Sequence, residues 1–110
     1  MNKIVTSIEQ SKKLLELGFD ISTADMYWWY SGKRYYIDSM FDDDFNKKSD
    51  IPAWSLTALL AILPSGKVLL HDKGNFGYKC ICDNIDTRFH DNPIDAAFEL
   101  ICMLKENGRI

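Results

Sequence analysis

Met26-Tyr27-Trp28-Trp29-Tyr30-Ser31-Gly32-Lys33-Arg34-Tyr35-Tyr36-Ile37 is the stretch on which the fold turns. Two aromatic-rich runs flank Ser31-Gly32, and glycine accepts the positive φ that tight hairpin turns demand, so the pattern predicts two antiparallel strands. With Ser31-Gly32 as the turn, Tyr30 faces Lys33, Trp29 faces Arg34, Trp28 faces Tyr35 and Tyr27 faces Tyr36. One side of the ribbon then carries Met26, Trp28, Tyr30, Lys33, Tyr35 and Ile37. The other carries Tyr27, Trp29, Arg34 and Tyr36.

Helical signals lie on both sides of this ribbon. Thr6 and Ser7 precede Glu9 and Gln10 by three residues each, so either pair can form a capping box for a helix from about Ser7 to Leu17, ended by Gly18. Ile8, Leu14, Leu15 and Leu17 are expected to face the core, with Glu9, Lys12, Lys13 and Glu16 on the wet side. Asp20 to Asp25 reads as a turn or a single helical turn. Residues 38 to 50, with the run Asp42-Asp43-Asp44, read as a mobile acidic loop without sustained periodicity. Ile51 to Leu63 is expected to be a helix capped by Asp50, with Pro52 in its first turn, Pro64-Ser65-Gly66 as its stop and burial on more than one side.

Lys67 to Asp72 and Phe76 to Asp83 predict a second hairpin closed by Lys73-Gly74-Asn75, with Thr87 to His90 as a possible extra strand. The last helix has Asn92 as cap, Pro93 at its first position and Gly108 at its end. Its apolar stripe is Ile94, Ala97, Phe98, Ile101 and Leu104, opposite Asp95, Glu99 and Glu106. Hairpins between helices, in the order α-ββ-α-ββ(β)-α, predict the α+β class: one antiparallel sheet of about four to five strands packed with three helices.

The chain has 110 residues, 46% of them apolar and 26% charged, which is one domain's worth of soluble globular composition. A formal charge of −3 speaks against nucleic acid as a partner. Met1 to Ser7 has no apolar run of the kind a secretory signal needs, and three cysteines cannot all pair within one chain. A cytoplasmic setting is therefore expected. The uncharged stretch from Ile51 to Ser65 falls short of the ~20 residues that cross a membrane, so no membrane partner is expected.

Thr6 to Met26 (TSIEQSKKLLELGFDISTADM), Pro52 to Pro64 (PAWSLTALLAILP) and Asn92 to Gly108 (NPIDAAFELICMLKENG) resemble a group of small bacterial proteins of the gut Bacteroidales, often encoded among phage-like or other mobile genes. No activity, ligand or site residue comes with that group. The resemblance implies a cytoplasmic accessory protein of bacterial or phage origin.

Chemistry-bearing residues are few. Cys80 and Cys82 are expected chiefly as small core side chains on a strand, and with His71 and His90 they could alternatively form a zinc set or a thiol site. Against zinc, residues i and i+2 of a strand lie roughly 6.6 Å apart, too far for two thiolates on one metal, and Cys-Ile-Cys has no glycine for a tighter turn. Cys102 lies beside Asp95, Glu99 and Glu106, which would raise its pKa and make it a poor nucleophile. Asp42-Asp43-Asp44 lacks the alternating ligands and distal Glu of a calcium loop. No cofactor is expected.

The ribbon is the unusual feature, because half of all the aromatic residues fall between Tyr27 and Phe41. A sheet with one wet face alternates apolar and polar, whereas here both faces carry rings. Either the chain covers the second face itself, or Tyr27, Trp29, Arg34 and Tyr36 form a platform for a partner, stiffened by a Trp29–Arg34 cation–π contact. The expected function is a non-enzymatic accessory module making protein contacts or self-associating as a homodimer. A small-molecule binding module, or an enzyme using Cys80 or Cys82 with His71 or His90, is the alternative.

Overall fold

The structure, a computed structural model, describes residues 3–41, 44–72, 74 and 77–110. Its order is α1 (Ile8–Glu16), a short 3-10 turn (Ile21–Thr23), β1 (Met26–Tyr30), β2 (Tyr35–Ser39), β3 (Ile51–Ala53), α2 (Leu56–Ile62), β4 (Lys67–Asp72), β5 (Gly77–Cys82), β6 (Ile85–Asp86) and α3 (Pro93–Glu106). The α+β class and the alternation of helices with hairpins hold. Among the described residues the strands number six, in two antiparallel sheets ordered β2-β1-β3 and β4-β5-β6, where the sequence predicts one sheet of four to five.

The extra strand comes from the segment expected to start the second helix. Ile51–Ala53 pairs with β1, Met26 opposite Ala53 and Trp28 opposite Ile51. Pro52 is tolerated because it lies opposite Tyr27, whose own N–H and C=O are turned toward β2, so a proline at that position costs the ladder no donor. The helix begins only after Ser55, whose hydroxyl accepts from Ala58 N–H at 3.2 Å and whose backbone N–H donates to Asp25 Oδ1 at 2.9 Å. Asp50, predicted to be the cap, instead closes a turn over 46–50 by accepting from Asn46 N–H at 2.9 Å. Asp42 and Asp43 of the acidic run, and Lys73, Asn75 and Phe76 of the second turn, lie outside the described residues.

The other helix ends follow local chemistry. Ser7 caps α1 and forms the capping box with Gln10, and Gly18 adopts φ 94° beyond its C-terminus. Leu14 is buried, whereas Leu15, expected in the core, is exposed. Asn92 accepts from Asp95 N–H at 2.9 Å to cap α3, with Pro93 in its first turn.

One core joins the pieces: Leu14, Trp54, Leu59, Cys80, Cys82 and the inner face of α3 pack together. The N-terminal strap is bound into it through Thr6. Its N–H donates to Trp54 O at 2.9 Å, its hydroxyl accepts from Trp54 N–H at 3.1 Å and shares a hydrogen with Ser11 Oγ at 2.8 Å, and its carbonyl accepts from Trp28 Nε1 at 3.0 Å. Trp54 is fully buried and donates its indole N–H to Thr23 Oγ1 at 2.9 Å. The helices pack chiefly on the second sheet and on each other, while α1 meets the first sheet at β3. The far end of the first hairpin is thereby left without a covering helix, and residues 30–36 are all exposed.

Candidate functional site

The hairpin exists, but its tip is Gly32-Lys33: Ser31 N–H donates to Arg34 O at 2.9 Å across it, and Gly32 takes the positive φ of 98°. The pairing runs Tyr30 with Tyr35, Trp29 with Tyr36, Trp28 with Ile37 and Tyr27 with Asp38. Each partner is displaced by two residues from the register expected for a Ser31-Gly32 turn. Because side chains alternate with a period of two, that shift leaves every residue on its predicted face, whereas a shift of one would have inverted them all.

The four predicted platform residues separate. Tyr27 is buried at 3% exposure, and Phe45 from the acidic segment meets its ring edge-on at 5.3 Å. It is a packing residue, a correction that follows from the loop folding back over the base of the ribbon. Trp29, Arg34 and Tyr36 remain together beyond that cover. The Trp29 and Tyr36 rings stack at 4.9 Å with 26° between their planes. The Arg34 guanidinium lies 4.8 Å from the Tyr36 ring centre and donates from Nε to the Tyr36 hydroxyl at 2.9 Å. The cation–π contact thus falls on Tyr36, not on Trp29 as expected, because the shifted register puts Arg34 beyond the ring it was to face.

Asp38, expected within the acidic loop, extends β2 and accepts from Trp29 Nε1 at 2.7 Å. Its signal was available in the alternation Arg34, Tyr36, Asp38 along one face. Asp38, Asp44 and Asp50 line a cavity of about 280 Å³ with Tyr27, Trp29 and Tyr30. On the opposite face Tyr30 and Tyr35 pack at 5.0 Å, both exposed, and Phe41 just beyond β2 is 90% exposed.

β2 is the outer strand of its sheet. Since Tyr36 and Asp38 exchange hydrogen bonds with β1, the peptide groups of Tyr35, Ile37 and Ser39 point to the open edge.

The cysteine strand is arranged differently. His71 and His90 both lie opposite Tyr78, two rungs from Cys80 and on the face that carries both thiols. Cys80 and Cys82 are 0% and 1% exposed within the core, and burial pushes the Cys80 thiol up. The His71 ring stacks on Tyr78 at 4.2 Å, and His90 Nε2 pairs with Glu99 Oε1 at 3.2 Å. Among the described residues no group of three His, Cys, Asp or Glu side chains is placed to hold a metal ion.

A groove of about 560 Å³ follows the outer side of α3 and includes Arg88, His90, Glu99, Cys102 and Glu106. Burial is the first cause of the raised Cys102 pKa. Lys13 opposes it, and Glu106 and Glu99, the neighbours expected to raise it, add to it. At the head of the groove burial would raise the Asp95 pKa, but hydrogen bonds from Lys3, Gln10 and Asn92 and the Lys3 charge outweigh it and hold the carboxyl below its usual range.

Compared with known protein families, curated proteins and solved structures, the chain matches none. No described helix is long and apolar enough to cross a membrane.

Proposed function

We propose that this chain is a small, non-enzymatic interaction module that receives an extended segment of a protein partner along the outer edge of β2, with Trp29, Arg34 and Tyr36 as the contact residues. The carrying observation is the open edge beside the stacked ledge: backbone groups of Tyr35, Ile37 and Ser39 face outward next to rings already ordered by Arg34 and Asp38. Strand addition takes affinity from such backbone groups and selectivity from the side chains alongside. Trp, Tyr and Arg are the residue types that dominate protein hot spots, and their pre-ordering lowers the entropy lost on contact. A cytoplasmic setting belongs to this reading through the cysteine count and the polar start of the sequence, and an accessory role in a bacterial or phage-like system through the sequence resemblance alone.

A library of short random peptides selected for binding tests it. The selected peptides are expected to bind roughly tenfold or more weakly to Arg34→Ala and Tyr36→Ala, both exposed positions, and to shift the amide signals of Tyr35, Ile37 and Ser39. Peptides that bind these variants as they bind the parent would refute the reading.

A further inference from the structure

We infer that the β2 edge also accepts a second copy of this chain, the two β2 strands pairing antiparallel about a two-fold axis through Tyr36. This rests on the proposed use of the edge and names one occupant for it.

The register follows from the backbone and the charges. Tyr35, Ile37 and Ser39 present their hydrogen-bonding groups to the open edge of β2, so the new ladder must run through these alternate residues. Five symmetric registers are open to these residues: Tyr35 opposite itself, Tyr35 opposite Ile37, Ile37 opposite itself, Ile37 opposite Ser39, or Ser39 opposite itself. The first sets Arg34 opposite Tyr36 of the second copy, the third sets Asp38 opposite Tyr36, the fourth sets Asp38 opposite Asp38 and the fifth sets Asp38 opposite Met40. The second alone places Arg34 of each copy opposite Asp38 of the other, twice by symmetry, with Tyr36 against Tyr36 at the axis and Ser39 opposite Lys33 of the turn. Arg34, which immediately precedes β2, shares a face with Tyr36 and Asp38, and all three would occupy the closely spaced pairs of the new antiparallel ladder, where side chains interact best. On the opposite face the same register lays exposed Tyr35 over Ile37 of the other copy.

The face is preset for this arrangement. Trp29 donates to one carboxylate oxygen of Asp38, Oδ2, and Arg34 donates to Tyr36 through Nε, so neither bond uses Oδ1 or the terminal guanidinium nitrogens, the atoms that the pairing would join. Two open three-stranded sheets become one six-stranded sheet, β3-β1-β2 continuing into β2-β1-β3 of the other copy, and the isologous contact closes on itself rather than growing into a fibre. With only two five-residue strands in contact, the interface falls below about 1,200 Å² and the dimer is of the weak, reversible kind.

Sedimentation velocity across a concentration series up to about 1 mM reads the association, with amide spectra recorded to verify folding. The parent is expected to pass from monomer to dimer. Arg34→Asp and Asp38→Arg should each weaken dimerisation roughly tenfold or more, and the double exchange should restore it to within about threefold, since opposite charges again face each other. Ile37→Pro removes an N–H that points to the edge and nothing from the monomer's ladder, so it should abolish the dimer while the monomer stays folded. If Asp38→Arg does not fold, because Trp29 loses its acceptor, Arg34→Asp and Ile37→Pro still decide. A parent that stays monomeric, a dimer indifferent to Arg34→Asp or Ile37→Pro, or a folded double exchange no better than the single reversals would overturn the inference. The peptide measurement on Arg34→Ala and Tyr36→Ala would then still decide the module reading on its own terms.

Discussion

Replacing Thr6 by Val keeps the shape of a fully buried side chain and deletes one oxygen, which makes it a sharp test of how the N-terminal strap is held. That oxygen accepts the Trp54 backbone N–H and shares a hydrogen bond with Ser11 Oγ, and both partners are buried. An orphaned buried donor costs about 1–3 kcal/mol, and the stranded Ser11 hydroxyl adds about 1 kcal/mol. The extra methyl returns roughly 0.8 kcal/mol. The net expectation is a loss of about 1–3 kcal/mol in urea unfolding with an unchanged m-value, and a thermal midpoint lower by about 5–14 °C. Adding Ser11→Ala to Thr6→Val should cost less than the two single changes summed, by about 1 kcal/mol, because one bond is counted in both. A Thr6→Val loss under about 0.5 kcal/mol, or strict additivity with Ser11→Ala, would refute the account of the strap as bound through this hydroxyl.

Asp95 gives a pH signature. Its carboxyl is held low in the folded state by Lys3, Gln10 and Asn92, so its contribution is fully present above the unfolded value near pH ~4 and is lost as pH falls through the lowered folded value. Asp95→Asn should therefore flatten the acid limb of stability measured by urea titration below pH ~4 and destabilise at neutral pH; an unchanged acid limb would contradict the linkage. The thiols should respond in two classes to iodoacetamide at neutral pH. Cys102, partly exposed with a raised pKa, should alkylate more slowly than free cysteine, while Cys80 and Cys82 should remain unmodified until denaturant opens the core. Mass spectrometry of the digests checks this, and prompt labelling of Cys80 in the folded chain would contradict its placement.

What the amino-acid order determined by itself was set by neighbours close in the chain. Ser7 with Gln10, Asn92 with Pro93, and the glycines at 18 and 32 end or turn their elements through bonds and dihedral preferences that need no distant partner. The two hairpins, the last helix and the split of the first ribbon into two aromatic faces were legible for the same reason, since a period of two survives a turn misplaced by one residue. Tertiary structure decided the rest. Ile51–Ala53 became a strand because β1 offered it an edge, against a local pattern that also suits a helix. Tyr27 left the exposed ledge because Phe45 closed over it, whereas the core position expected of Cys80 and Cys82 is supplied by α3, which lies across their face of the sheet. The partition of Trp29, Arg34 and Tyr36 from Tyr27 is of this second kind: burial depends on which remote segment arrives to exclude water, and no residue's own neighbours in sequence carry that information.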